Sequence, residues 1–283
     1  MAQPHTAILF PGQGSQAAGM RELVEDARPD LIDLLVEFAG ADPFARIDEG
    51  TRFQQPAIFA ASLAGWERRK ADPAVLAGHS LGEITALVAA GALTAADGVR
   101  IVAARARLMD EAARVGGGML AVKAGAADVH PVLDATGISL ANDNAPRQVV
   151  LSGSEPQLAA AEAMLAESGV RSKRLPVSGA FHSPLMEPAV GRFRDKVASV
   201  RFSAPRIPVV SCITAAPVER PGPTLVDALT SPVRWVDTLH ALHARGVERF
   251  IETGPGNVLT GLVRRTLPGA EAAVVPEPEA VHG

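Results

Sequence analysis

Ser80 and His182 have the types needed for nucleophilic chemistry, and Arg105 has the type that grips a carboxylate. Ser80 lies in Gly78-His79-Ser80-Leu81-Gly82-Glu83, between a short apolar run at 73–77 and a segment at 83–93 that reads as helix. A strand, a sharp Gly-x-Ser-x-Gly turn and a helix make a nucleophile elbow, which lifts the serine hydroxyl clear of the sheet and aims it at the helix N-terminus. Glycines at 78 and 82 let strand and helix approach closely. Gly-x-Ser-x-Gly also arises by chance in a glycine-rich chain, so the strand-turn-helix context carries the reading.

A serine nucleophile needs a base. Of seven histidines, His182 is the candidate by elimination: His240 and His243 fall on a helix, His5 and His282 near the termini, His130 in an inserted segment and His79 beside the serine. In Ser178-Gly179-Ala180-Phe181-His182-Ser183-Pro184, Ser183 reads as an N-cap and Pro184 as the first residue of a helix to about 199. That junction lets His182 face a cleft; a structural capping histidine is the other reading. Arg105 sits on a helix over 95–114 and shares a face with Ile101, Val102, Leu108 and Met109. It either snorkels or pairs internally, or it is a buried cation kept for a ligand carboxylate, which a planar guanidinium grips through two parallel hydrogen bonds. Arg100 near Asp97, and Arg107 and Arg114 near Asp110 and Glu111, read as solvated pairs.

Around these residues the pattern alternates strand and helix. A first strand at 6–10 runs into Pro11-Gly12-Gln13-Gly14-Ser15-Gln16. Gly12, Gly14 and Ala17 imitate a dinucleotide fingerprint, so an oxidoreductase is a remote alternative. The acidic residues about twenty positions on lie in a helical pattern, and Gly-Lys-Ser/Thr is absent, so the preferred reading is a tight loop placing the Gln13 amide near the reacting centre. Helices are expected at 21–39 and 56–69, with Pro56 in a first turn. From 117 to 178 the order strand (119–123), helix (127–135), strand (138–142), strand (148–152), helix (155–168), strand (170–177) is ferredoxin-like. Its Asn142-Asp143-Asn144-Ala145-Pro146 stretch is rich in turn formers and reads as a hairpin loop. The last third returns to strand (207–213), helix (233–245), strand (247–252), a structural Gly254-Pro255-Gly256 turn and a helix to Arg265, with a poorly ordered tail from Pro268.

Composition narrows the class. With 47% hydrophobic and 20% charged residues the chain is globular, and 4% aromatics with no tyrosine demands an aliphatic core. A net charge of −4 argues against general nucleic-acid binding. The single cysteine, Cys212, lies in an apolar segment and reads as a core thiol. No signal peptide or bilayer-length apolar run is visible, so a cytoplasmic setting without membrane contact is expected. No metal or redox cofactor is expected.

Several motifs converge on one family. Phe10-Pro11-Gly12-Gln13-Gly14-Ser15-Gln16, Gly78-His79-Ser80-Leu81-Gly82-Glu83, Arg105 with Leu108-Met109, Gly179-Ala180-Phe181-His182-Ser183, Pro232-Val233-Arg234-Trp235 and Glu252-Thr253-Gly254-Pro255-Gly256 resemble the malonyl-CoA:acyl carrier protein transacylases, in order and over nearly the whole chain. The resemblance implies an α/β-hydrolase-like large subdomain (1–116 and 179–283) carrying a ferredoxin-like small one (117–178), with the site between them. It implies Ser80 as nucleophile, His182 as base, Arg105 as clamp for the malonyl carboxylate, and the backbone N–H groups of Gln13 and Leu81 as oxyanion hole. Asn142 and Asn144 match the family's Asn-x-Asn segment near the site, and Phe181 matches its malonyl-type rather than methylmalonyl-type signature. In bacterial relatives a glutamine carbonyl orients the histidine; Ala228 takes that position here. The implied partners are malonyl-CoA and an acyl carrier protein, which the basic run Arg171, Lys173, Arg174 could steer, and a monomer is expected. A thioesterase, the malonyl-transfer subunit of a malonate decarboxylase and a non-catalytic synthase subunit remain alternatives.

Overall fold

In a computed structural model, which describes residues 5–70 and 72–275, two five-stranded sheets organise the chain. The first stretch runs β1 (His5–Phe10), α1 (Met20–Ala27), α2 (Asp30–Ala39), α3 (Thr51–Glu67), β2 (Val75–Gly78), α4 (Gly82–Ala89) and α5 (Ala95–Ala113). The middle runs β3 (Gly118–Val122), α6 (His130–Thr136), β4 (Ser139–Ala145), β5 (Gln148–Gly153), α7 (Glu155–Glu167) and β6 (Ser172–Arg174). The last stretch runs α8 (Glu187–Ala198), β7 (Val209–Val210), α9 (Pro221–Asp227), β8 (Val233–Arg234), α10 (Trp235–Ala244), β9 (Val247–Glu252), α11 (Val258–Thr266) and β10 (Glu271–Val274).

The larger sheet is parallel throughout, in the order β10-β9-β1-β2-β7. Parallel strands covered on both faces read as continuous apolar runs, and β1 does so. Its Ile8 and Phe10 pack with Phe59, Leu63 and Val102 from the helices on one face. Ala7 and Leu9 pack with Trp235, Leu239 and Phe250 on the other. Each fully buried large side chain contributes roughly 1.5–3 kcal/mol. Parallelism also brings the carboxyl ends of β1, β2, β7 and β9 to one edge, where the loops that bear polar residues emerge.

The smaller sheet has the order β6-β3-β5-β4-β8. Its first four strands are antiparallel neighbours, and with α6 and α7 they give the ferredoxin-like arrangement over its own core of Leu120, Val122, Val149, Leu151 and Leu158. β8 is the exception: it comes from the last third of the chain and pairs parallel to β4, Asn142 opposite Val233 and Asp143 opposite Arg234.

Local departures from expectation have local causes. The helix expected over 21–39 is two helices, because Pro29 disfavours helical geometry at the residue before it, and Arg28 lies at φ −148°, ψ 59°. α3 begins at Thr51, five residues before Pro56, and accommodates the proline inside it. The donor that Pro56 lacks would have served the carbonyl of exposed Arg52. Asn142 to Ala145 are not a loop but the end of β4, with Pro146 and Arg147 making the turn. The strands expected over 170–177 and 207–213 shrink to β6 and β7. The tail expected from Pro268 contains β10, which covers the open edge of β9 and adds an Arg249–Glu271 ion pair of 2.9 Å; residues 276–283 lie outside the described ones.

The elbow depends on missing side chains. A Cβ on Gly78 would lie 1.9 Å from the Gly82 carbonyl carbon, and one on Gly82 would lie 2.0 Å from the Phe10 oxygen. Both obstacles are backbone and cannot rotate away. Gly82→Ala is therefore expected to cost more than about 4 kcal/mol. At Gly14, whose φ is +100° and whose Cβ would meet nothing within 4 Å, alanine is expected to cost only about 1–2 kcal/mol. Urea unfolding followed by circular dichroism checks both values; equal losses would show that the close approach is not limiting.

Candidate active site

β2 ends at Gly78, the chain turns through His79 and Ser80, and α4 starts at Gly82. His79 N donates to Phe10 O at 3.0 Å, fixing the turn to the end of β1. Ser80 adopts φ +51° and His182 φ +57°, in the left-handed region that non-glycine residues seldom occupy. Each such residue costs on the order of 1 kcal/mol, and such strain concentrates at functional sites.

Ser80 Oγ lies 2.8 Å from His182 Nε2, and His182 Nδ1 lies 3.0 Å from the carbonyl oxygen of Ser231. A carbonyl can only accept, so Nδ1 carries the proton and Nε2 is the acceptor for the serine hydroxyl. The expected orienting residue, Ala228, is corrected to Ser231; the Ala228 backbone adds a lesser contact. Two residues, Leu229 and Thr230, separate them, and the chain's turn after Asp227 brings the later carbonyl to the ring. Burial, reinforced by the Arg105 charge, pushes the His182 pKa down to about 3.

Arg105 is 3% exposed on α5. Its Nη2 donates to Ser80 Oγ at 3.0 Å and its Nη1 to Gln55 Oε1 at 2.7 Å. Burial lowers its pKa to about 10, so it remains a cation at neutral pH. By contrast Arg100 and Arg107 pair at the surface with Asp97 and Glu111, at 3.2 and 2.9 Å.

A cleft of about 230 Å³ opens over these groups, between the loops of the parallel sheet and the face of the small one. Gln13 and Leu81 line it. The Gln13 side chain donates to Thr51 Oγ1 at 3.0 Å and to Gln54 Oε1 at 2.8 Å, and Gln54 lines the cleft as well. Leu81 precedes the first turn of α4, where backbone N–H groups have no intrahelical acceptor. Asn142 and Asn144 lie two apart on β4 and both line the cleft. Register between β4 and β5 is irregular just before Asn142 and again at Asn144. Asn144 Oδ1 accepts from His79 Nε2 at 2.8 Å, and the His79 and Trp235 rings meet at 62° with centroids 5.2 Å apart. Phe181 is buried and lines the same cleft.

Several residues at the site escaped the sequence. Thr51, Gln54 and Gln55 stand at i, i+3 and i+4 on α3, a spacing that would have shown one polar face had the helix not been started at Pro56. Glu83 follows the elbow, fully buried; its Oε2 accepts from Cys212 N at 2.9 Å and Ser211 Oγ at 3.2 Å, and burial raises its pKa. Cys212 is buried and burial drives its thiol pKa up, as expected of a core cysteine. In the Gly254-Pro255-Gly256 turn, a Cβ on Gly254 would lie 2.5 Å from Ser62 Oγ, and Glu252 caps α11 by accepting from Leu259 N and Thr260 N.

A hydroxyl backed by a neutral imidazole, at a strand-turn-helix elbow on a parallel α/β sheet, is an arrangement shared by enzymes that act on acyl groups through a serine, hydrolases and transferases alike. The family model described as "Acyl transferase domain" matches residues 44–280. The polyketide biosynthesis protein ThaF of Burkholderia thailandensis is 42% identical over 93% of this chain, which spans 24% of that protein's length. The malonyl CoA-acyl carrier protein transacylase of Salmonella typhimurium is 36% identical over 97% of each chain. The crystal structure of the malonyl-CoA:acyl carrier protein transacylase of Xanthomonas oryzae pv. oryzae superposes with a TM-score of 0.90 at 37% identity, covering 98% of this chain and 96% of that one. The chain belongs to the malonyl-CoA:acyl carrier protein transacylase family.

The low pKa of His182 sets a pH expectation. A base whose pKa falls from the ordinary 6.5 to about 3 stays neutral in the folded protein throughout that interval, so falling pH removes the acceptor only near the lower value. Acylation of Ser80 is expected to hold its rate from pH 8 down to about 4 and to fall to half near pH 3. Single-turnover loading across pH checks this, and an acid limb centred near 6.5 would contradict it.

Proposed function

We propose that the protein transfers a malonyl group from malonyl-CoA to the phosphopantetheine thiol of an acyl carrier protein through a malonyl-O-Ser80 intermediate. The observation that carries this reading is the buried Arg105 guanidinium, 3.0 Å from the nucleophile. A cation sequestered beside the serine, with neutral oxygens as its hydrogen-bond partners, is suited to a substrate that brings its own carboxylate.

His182 Nε2 accepts the Ser80 proton as Oγ attacks the thioester carbonyl. The backbone N–H groups of Gln13 and Leu81 receive the oxyanion, each such donor being worth roughly 3–4 kcal/mol in comparable enzymes. Collapse expels coenzyme A, which takes the proton from His182. The carrier thiol then attacks the ester with His182 again moving the proton, giving ping-pong kinetics. Phe181, Asn142 and Asn144 border the acyl and pantetheine path. The fold divides for this purpose into a large subdomain (1–116 and 179–283) and a small one (117–178), with the cleft between. All these groups come from one chain, so a monomer suffices, and a cytoplasmic setting suits the substrates.

A thioesterase would use the same serine and histidine, but an arginine buried at the serine serves no purpose in admitting water. The test is intact-protein mass spectrometry after brief exposure to malonyl-CoA. A malonyl adduct is expected that vanishes in Ser80→Ala and moves to added carrier protein; free malonate without an adduct would establish hydrolysis instead. Carrier proteins from fatty acid, polyketide and malonate decarboxylase systems, compared in the same assay, separate the pathways. Arg105→Ala is expected to lower kcat/KM for malonyl-CoA by about 100-fold or more, since it strips the partner from a buried charge, and to shift preference towards acetyl-CoA. Unchanged malonyl selectivity would refute the clamp.

Arg171 and Lys173 are exposed on the small subdomain and available to an acidic carrier, whereas Arg174 is engaged by Glu155 and Glu162 at 2.9 and 2.8 Å and is removed from the expected basic run. The double charge reversal Arg171→Glu/Lys173→Glu is expected to raise KM for carrier protein severalfold and leave KM for malonyl-CoA unchanged. Steady-state kinetics with each substrate varied in turn decides this.

A further inference from the structure

The hydrogen bond from Arg105 Nη2 to Ser80 Oγ has a consequence for the nucleophile itself. A serine hydroxyl has one proton and two lone pairs. Here the proton points to His182 Nε2 at 2.8 Å, and one lone pair accepts from the guanidinium at 3.0 Å. A charge-assisted hydrogen bond draws electron density from the oxygen that has to attack. The second terminal nitrogen, Nη1, is held by Gln55 Oε1 at 2.7 Å, and Gln55 in turn rests its Nε2 on Met109 Sδ at 3.5 Å. Both ends of the guanidinium fork are thus occupied by neutral oxygens. Among the described residues no carboxylate forms an ion pair with Arg105; Glu83, the acid whose charge it feels, is bound instead to Cys212 N and Ser211 Oγ.

We propose that Arg105 holds Ser80 in a resting state that an incoming carboxylate releases, so that the acyl group's acid function is sensed before the serine becomes fully nucleophilic. The inference rests on the malonyl reading above and adds to it: Arg105 acts on the rate of attack, not on binding alone. A carboxylate offers two anionic acceptors matched to the fork and displaces the hydroxyl and the amide together. Ser80 Oγ then keeps its bond to His182 and regains its lone pair. An acetyl thioester brings no anion, so it meets a serine still engaged by the cation. In the released state the Oγ–C bond forms as the proton passes to Nε2, the C–S bond breaks, and the departing thiolate takes that proton.

Malonyl is acetyl with a carboxylate attached, so the two functions can be supplied separately. The experiment follows acetylation of Ser80 in the full wild-type chain by quenched-flow mass spectrometry with acetyl-CoA, while sodium formate is titrated in. Sodium chloride controls for ionic strength and formamide is the neutral isostere. Release predicts a saturable acceleration on the order of tenfold, the size set by one charge-assisted hydrogen bond. It predicts none with formamide, and none in Arg105→Ala, where acetylation is already fast. If that variant does not fold, the wild-type titration stands alone. Formate that leaves acetylation unchanged, slows it, or yields no acetyl adduct at saturation overturns the proposal, because a clamp that only binds gives those results. Malonyl-CoA loading runs in parallel: a malonyl adduct with formate-insensitive acetylation overturns release only, whereas no malonyl adduct removes the substrate reading and this inference with it.

Discussion

The contact between the Phe10 carbonyl and the backbone of Gly82 is the constraint on which the site depends. It joins the end of the central strand to the first turn of α4 with no side chain between them. The same carbonyl accepts from His79 N, so one oxygen fixes both sides of the turn. Gly12 repeats the arrangement from the neighbouring loop, where a Cβ would lie 2.6 Å from the His79 carbonyl oxygen. Because these are backbone contacts on a parallel sheet, the serine, the Gln13 loop and the start of α4 are placed as one rigid unit. The positive φ at Ser80 follows from that closeness, and its strain is borne by the sheet core beneath.

On that unit the electrostatics are set by burial. Arg105 remains cationic within an apolar helix bundle, and His182 is neutral partly because Arg105 is near. During attack the imidazole takes a proton and becomes a second cation beside the first. A malonyl carboxylate on Arg105 offsets that repulsion, so under the proposed function the substrate completes the charge balance that catalysis requires. Glu83 forms no ion pair with Arg105: its Oε2 accepts from Cys212 N and Ser211 Oγ.

Much of this was legible in the sequence because the chemistry sits in short motifs with strong local geometry. Gly78 to Gly82 announced the elbow, and the junction at Ser183-Pro184 announced the turn that presents His182. The order of elements between 117 and 178 gave the topology of the small sheet, although its outer strands are shorter than expected. Arg105 could be placed on an apolar face but not given a partner, since Gln55 is fifty residues away. Long-range contacts of this kind leave no periodic trace. The loop reading of the Asn142 to Pro146 stretch failed for a different reason: asparagine favours turns locally, and the pairing of Asn142 and Asp143 with β5 and β8 overrides that preference. The Ser231 carbonyl was out of reach because a backbone acceptor carries no sequence signature.

The parallel pairing of β8 with β4 has a mechanical side. Val233 is hydrogen-bonded into the small sheet two residues after Ser231, whose carbonyl sets the His182 ring. The His79–Asn144 bond ties the elbow to the same strand. These two contacts link the small sheet to Ser80 and His182, so that swinging it outward would draw the His182 ring off its line with the serine hydroxyl. Under the proposed function, a substrate that enters along the existing cleft leaves that alignment intact, whereas one that parts the two sheets does not.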